Sequence, residues 1–167
     1  MEATIATIIA AAAPLLFVTA GETISEKSGV INLSLEGSLM LSALTGFAIA
    51  FETGNTWAGF LAAAVVGGGF ALVVAFGSIT LWLNQVAVGF VLASLGIALS
   101  SFLGSGYTGK PGGPIAVPPL DIPVLSELPF VGTAFFSHNI VVYASLATVL
   151  LVWLYMYRSR PGLSLQG

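Results

Sequence analysis

Few residues of this sequence could do chemistry, and four of them are polar side chains within long apolar stretches. Glu36 is an ionisable side chain inside an apolar segment, and Asn32 precedes it by one helical turn. Asn84 and Gln85 form a polar pair near the middle of a stretch, 53–109, that carries no charge. A carboxylate in hydrocarbon is costly, which makes Glu36 a candidate functional residue. The two amide side chains both donate and accept hydrogen bonds, which suits an uncharged, hydroxylated ligand.

Each of these residues also has a structural interpretation. Glu36 could pair with Lys27 or accept hydrogen bonds from backbone at a helix break. Asn84 and Gln85 could serve only to satisfy the backbone of a turn, although such a turn at membrane depth must face protein or water. The sequence alone leaves both interpretations open.

Small residues lie opposite Asn32 and Glu36 if this segment is one helix. They recur every four positions: Ser34, Ser38, Ser42 and Gly46. Such a ridge lets a second helix approach closely. A helix with a polar pair on one face and this ridge on the other has little surface left for lipid. We therefore expect it to lie in the middle of a bundle, with Asn32 and Glu36 sharing a face.

The sequence lacks the residue sets that catalysis or metal binding needs. It contains one histidine and no cysteine, and its carboxylates are scattered, so no triad or metal site is credible. Residues 104–110 resemble a phosphate-binding loop, but Pro111 stands where that loop needs a Ser or Thr for magnesium. There is no basic patch for nucleic acid. We predict no enzymatic activity, no catalytic residue, no metal site and no cofactor in this chain.

The composition places these residues in an integral membrane protein. Of the 167 residues 57% are hydrophobic and 7% are charged, and the mean hydropathy is +1.03. A soluble domain carries roughly a quarter charged residues, and a membrane helix needs about 20 apolar ones. We predict an all-α polytopic bundle of about five transmembrane helices, forming one incomplete transmembrane domain over 1–167. The predicted spans are about 3–20, 30–51, 57–83, 86–103 and 139–157.

The segments between these spans set the orientation. Residues 21–29 are polar and indicate a cytoplasmic loop, whereas 104–138 hold six of the eight prolines and indicate an extracytoplasmic Pro-rich loop. Alternating spans place three of the four cations on the side of the first loop: Lys27, Arg158 and Arg160. Lys110 alone lies on the other side. The positive-inside rule then puts the N-terminus outside.

Three segments of the chain resemble motifs of permease subunits from bacterial ABC importers for nucleosides and simple sugars. These are the ribose/galactose-type members of the branched-chain-amino-acid-like permease superfamily. The most specific segment is GETISEKSGVINLSLEG at 21–37, in which Ser34 stands where the family usually has Gly. NQVAVG at 84–89 and YRSRPGL at 157–163 are similar to two further motifs. Family members are considerably longer, so the resemblance implies the N-terminal part of such a subunit.

The resemblance implies a function and a set of partners. The full subunit would translocate nucleosides or simple sugars across the bacterial cytoplasmic membrane. Its partners would be a second permease subunit in a homo- or heterodimer, cytoplasmic ATPase subunits that carry ATP and Mg, and an extracytoplasmic substrate-binding lipoprotein. The substrate path would include the four polar residues Asn32, Glu36, Asn84 and Gln85. Two alternatives stay open: a proton-coupled secondary transporter with Glu36 as proton carrier, and a non-transporting membrane scaffold or assembly protein.

Overall fold

The described part of the chain consists almost entirely of helices. The computed structural model describes residues 2–110, 117–121 and 137–164. Along the chain the helices are α1 (Glu2–Lys27), α2 (Leu35–Thr53), α3 (Thr56–Ala75), α4 (Gln85–Gly104), α5 (Ile140–Arg158) and the short α6 (Arg160–Ser164). Two three-residue strands, β1 (Pro119–Asp121) and β2 (Ser137–Asn139), form an antiparallel pair ahead of α5. In these ranges five helices are long and apolar enough to cross a membrane. The predicted all-α polytopic bundle with about five spanning helices is confirmed.

The chain divides into two compact units. The first unit is built from Met1–Gly29 and Val117–Gly167 and contains α1, α5 and α6. The second unit is built from Val30–Ala116 and contains α2, α3 and α4.

In the first unit, α1 packs along α5 and the two helices run parallel. β2 directly precedes α5 and contacts α1. Near their C-terminal ends the two helices together line a groove that includes Ala20 and Met156. If α1 and α5 were antiparallel, β2 would lie beyond the C-terminal end of α1 and could not contact it. Only parallel helices allow α1 both to contact β2 and to line this groove with α5. The C-terminal ends of α1 and α5 therefore lie at one end of this unit.

In the second unit, α2 lies between α3 and α4. Gly46 of α2 faces Gly59 of α3, and Gly37 of α2 faces Gly96 of α4. Further along, the Ser100 hydroxyl of α4 donates to the Met40 carbonyl at 3.1 Å. From Gly37 to Met40 on α2, the contacting residue on α4 changes from Gly96 to Ser100, so α2 and α4 are parallel. α3 packs against α2 in the antiparallel direction. Glycine at these crossings allows the backbones to approach closely.

The first helix is longer than the sequence predicted. α1 continues through Lys27, so the predicted loop at 21–29 is helical over most of its length. Glu and Lys are good helix formers, and a polar composition does not by itself end a helix. The chain turns away at Gly29, whose φ of +79° is the left-handed conformation that often follows a helix.

Other predicted spans differ at their ends. α2 begins at Leu35 rather than near residue 30, and α3 stops at Ala75 and continues as a π-helical turn over Phe76–Thr80. α4 and α5 lie within one residue of the predicted spans 86–103 and 139–157. Most of the predicted Pro-rich loop at 104–138 lies outside the described residues.

Candidate functional site

Asn32 organises the chain just before α2. Its Oδ1 accepts a hydrogen bond from the Ser34 backbone N–H at 3.0 Å and another from the Ser34 hydroxyl at 2.6 Å. This Asx-type turn leads the chain into α2, and Ser34 is almost fully buried there. The prediction that Asn32 and Glu36 share a helical face is wrong, because the helix begins after Asn32 and the Asn32 side chain bonds to the turn.

Glu36 is the second residue of α2 and is exposed on the surface of the second unit. A carboxylate in the first turn of a helix interacts favourably with the helix dipole and with the unpaired backbone N–H groups there. Because the side chain is exposed, its carboxylate oxygens are accessible to a ligand.

Asn84 caps α4. Its Oδ1 accepts hydrogen bonds from the Val86 and Ala87 backbone N–H groups at 2.9 and 3.2 Å, as an N-cap residue does. Asn84 also lines a groove of about 390 Å³ on the surface of this unit. The other walls are aliphatic: Val73, Leu83, Ala87, Val88, Val91 and Leu92. With Oδ1 engaged in the cap, the amide N–H₂ group is the polar group that Asn84 offers to a ligand.

The second unit brings the four candidate residues to one of its ends. A methyl group placed on Gly89 would lie 3.0 Å from the Leu33 backbone nitrogen, so the first turns of α4 lie beside the segment that enters α2. Asn32 directly precedes Leu33 and Glu36 follows it by three residues, whereas Asn84 caps α4 and the half-buried Gln85 is its first residue. The predicted residues therefore lie near each other at the N-terminal ends of two parallel helices.

The small-residue ridge of α2 lies against α3. A methyl group on Gly67 would lie 3.4 Å from the Ser42 hydroxyl oxygen and 3.9 Å from that of Ser38, and Gly46 contacts Gly59 and Ala63. The Ser42 hydroxyl is buried without a hydrogen-bond partner in the part of the chain that the structure describes. Ser34 belongs instead to the turn before the helix.

Sequence reasoning missed the shape of the turn that leads to Asn84. Trp82 has a φ of +55° and is 90% exposed, an unusual conformation for a bulky residue. The turn is held by hydrogen bonds from the Leu81 N–H to the Phe76 carbonyl and from the Leu83 N–H to the Gly77 carbonyl. No glycine marks the left-handed position, so the sequence carries no signal for it.

A second cluster, at the C-terminal ends of α2 and α4, was also missed. The Lys110 ammonium lies 4.9 Å from the ring centre of Phe51 and 4.4 Å from that of Tyr107. The Tyr107 hydroxyl donates to Glu52 Oε1 at 3.3 Å. These contacts tie the residues that follow α4 to the end of α2. Within the described ranges, no three His, Asp or Glu side chains come together as a metal site would require.

Comparison with known proteins identifies the family. Residues 4–167 match the family described as the permease component of branched-chain amino acid transport systems. The chain belongs to this family. The resemblance deduced from the three motifs is thereby confirmed, and the family is a transport component rather than a catalyst. Together with five apolar helices, it makes the chain a multi-pass membrane protein.

Three relatives of this chain are named as ABC transporter permeases. A putative glucose ABC transporter permease of Haloferax volcanii is 41% identical over 159 residues, covering 94% of this chain and 48% of that protein. A guanosine ABC transporter permease of Bacillus subtilis is 29% identical, covering 93% and 52%. A nucleoside ABC transporter permease of Lactococcus lactis is 24% identical, covering 100% and 56%. The chain thus spans about half the length of these relatives. No solved structure matches it.

Proposed function

We propose that the chain is part of the transmembrane permease subunit of an ABC importer that moves nucleosides or simple sugars across the cytoplasmic membrane. The observation that carries this proposal is the family match along nearly the whole chain, together with relatives named for glucose, guanosine and nucleosides. These substrates are uncharged and rich in hydroxyl groups, which agrees with a chain that has almost no charge along its apolar helices.

The substrate path would pass the end of the second unit where the candidate residues lie. Glu36 oxygens can accept hydrogen bonds from ligand hydroxyls, and the Asn84 amide can donate to hydroxyl or carbonyl oxygens. The groove beside Asn84 is otherwise aliphatic and would contact the apolar face of a ring. Asn32 would support this end by holding the turn before α2.

The energy for transport would come from partners. In this proposal the permease works with a second permease subunit, two cytoplasmic ATPase subunits that bind ATP and Mg, and an extracytoplasmic binding lipoprotein. The chain itself offers no phosphate-binding loop, since Pro111 interrupts the one similar segment.

Uptake into membrane vesicles tests the proposal. The vesicles would contain the permease that includes this chain, with its ATPase and binding protein, and would receive labelled guanosine, uridine or glucose. We expect uptake that requires ATP and survives an uncoupler. Uptake driven by a proton gradient without ATP would instead establish the secondary transporter. No uptake, with specific co-purification of another permease chain, would establish the scaffold.

A further inference from the structure

A groove of about 250 Å³ runs between α1 and α5 in the first unit. From α1 it is lined by Leu16, Thr19, Ala20 and Thr23, and from α5 by residues that include Val149, Val152 and Met156. The two threonine hydroxyls donate to carbonyls of their own helix, Thr19 to Leu15 at 2.9 Å and Thr23 to Thr19 at 2.7 Å. Both threonine hydroxyls are therefore satisfied within α1, and the groove presents a mainly apolar surface.

Aromatic rings mark one end of this groove. Trp153 and Tyr157 both line it, with ring centres 6.2 Å apart, and both are exposed. Trp and Tyr prefer the level of the lipid headgroups, where the apolar part of the ring is dry and its polar group is wet. This end of the groove therefore lies near the membrane surface.

Cations follow directly beyond that end. Lys27 is one turn past Thr23 on α1, and Arg158 is the residue after Tyr157 on α5. Because α1 and α5 are parallel, both cations lie at the same end of the unit. All three basic side chains there, including Arg160, are exposed. Two carboxylates, Glu22 and Glu26, lie on the last turns of α1, so among the residues that the structure describes this end carries three positive and two negative side chains.

The short helix α6 keeps Arg160 at this place. The Gly162 N–H donates to the Ser159 hydroxyl oxygen at 3.1 Å, and that hydroxyl donates to the Tyr155 carbonyl at 2.7 Å. Gly162 is buried, and a methyl group on it would lie 2.9 Å from the Met156 Cα. α6 is therefore folded against the end of α5, which holds Arg160 near the mouth of the groove.

We propose that the α1–α5 groove binds an anionic phospholipid, with one acyl chain along the apolar wall and the headgroup phosphate at Arg158, Arg160 and Lys27. The site consists of an apolar channel, then aromatic rings at its mouth, then cations. A phospholipid in a membrane has the matching order of acyl chain, interfacial region and phosphate. Basic groups between helices at a membrane surface recognise anionic headgroups in this way. This site belongs to the first unit, whereas the candidate substrate path belongs to the second, and the proposal does not depend on the transported substrate.

Native mass spectrometry of the purified chain in mild detergent tests the site. The probe is an equimolar mixture of phosphatidylglycerol and phosphatidylcholine with identical acyl chains. We expect the wild-type chain to retain phosphatidylglycerol preferentially. Arg158→Gln should lower the affinity for phosphatidylglycerol about fivefold, the effect of one cation near a headgroup, and leave phosphatidylcholine unchanged. Glu26→Gln should act in the opposite direction and raise the preference for phosphatidylglycerol.

Matched variants separate the groove from general charge and hydrophobicity. Val149→Phe fills the groove and should weaken both lipids by the same factor, whereas Leu150→Phe, beside it but outside the lining, should weaken neither. Lys110→Gln removes a cation elsewhere and should have no effect. Equal retention of both lipids, or equal losses from Lys110→Gln and Arg158→Gln, would overturn the proposal. So would a Val149→Phe chain that keeps its lipid but loses co-purification with another permease chain, because a protein helix would then occupy the groove. Circular dichroism confirms that each variant remains folded.

Discussion

At the scale of single residues, two carboxylates at opposite ends of α2 test the proposed substrate path. Glu36 lies exposed at the end that also holds Asn84, whereas Glu52 lies at the other end and accepts from Tyr107. We expect Glu36→Gln to reduce uptake about tenfold or more, because a hydrogen bond to a charged group contributes roughly 1.5–3 kcal/mol. Glu52→Gln should leave uptake within about twofold, since that contact is modest. Initial rates of labelled substrate uptake, normalised to expression, give the comparison; equal rates for both variants would contradict a role for Glu36.

Asn84 has two possible roles that substitution can separate. Asn84→Asp keeps the oxygen that caps α4 but removes the amide donors, so the helix should stay stable while uptake falls. Asn84→Ala removes the cap as well and should cost about 1 kcal/mol of stability. Thermal unfolding and uptake, measured on the same preparations, distinguish these effects.

Asn55 provides the control for Asn84 because it caps α3 with nearly the same geometry. Its Oδ1 accepts from the Trp57 and Ala58 N–H groups at 3.0 and 3.3 Å. We expect Asn55→Asp to leave both stability and uptake unchanged. If Asn84→Asp behaves like Asn55→Asp in both assays, Asn84 is only a helix cap.

At the scale of elements, the crossing of α2 and α4 depends on glycine. A methyl group on Gly96 would lie 2.5 Å from the Gly37 carbonyl oxygen, a backbone atom that cannot move aside alone. Gly96→Ala should therefore force the helices apart and destabilise the chain by about 1–3 kcal/mol. Gly68→Ala on α3 meets nothing within 4 Å and should instead stabilise the chain by about 0.5–1 kcal/mol, since Gly is a poor helix residue. Unfolding in detergent measures both; a destabilising Gly68→Ala, or a neutral Gly96→Ala, would contradict this packing.

The bounds of the helices show which parts of the fold could be predicted from the sequence. Hydropathy located the helices because membrane burial acts on whole segments, and it placed α4 and α5 within one residue. Hydropathy placed the end of α1 too early, because a charged segment can lie outside the membrane and still be helical. The start of α2 was missed because the Asx turn at Asn32 competes locally with helix formation. The residues of the candidate site could be identified as polar groups in apolar stretches, but their proximity depends on the contact between Gly89 and Leu33.

At the scale of the whole molecule, the helix directions within each unit agree with alternating membrane crossings. Five consecutive spans require α2 and α4 to run one way and α3 the other, which the second unit shows. They also require α1 and α5 to run the same way, which the first unit shows. Because α1 and α5 are parallel, Lys27 and Arg158 lie at the same end of the first unit. The cations that the positive-inside rule counts along the sequence are therefore also on one side in the structure of this unit.

The orientation itself can be tested by single cysteines, because the chain has none of its own. Ser28→Cys lies just after α1, and Thr108→Cys lies just after α4 and its final turn; both positions are exposed. With the N-terminus outside, a maleimide that cannot cross the membrane should label Thr108→Cys on intact cells and label Ser28→Cys only after permeabilisation. Ser164→Cys, at the end of α6, should behave like Ser28→Cys because α1 and α5 are parallel. Labelling of Ser28→Cys on intact cells with protection of Thr108→Cys would reverse the orientation, and opposite behaviour of Ser28→Cys and Ser164→Cys would contradict the parallel pairing of α1 and α5.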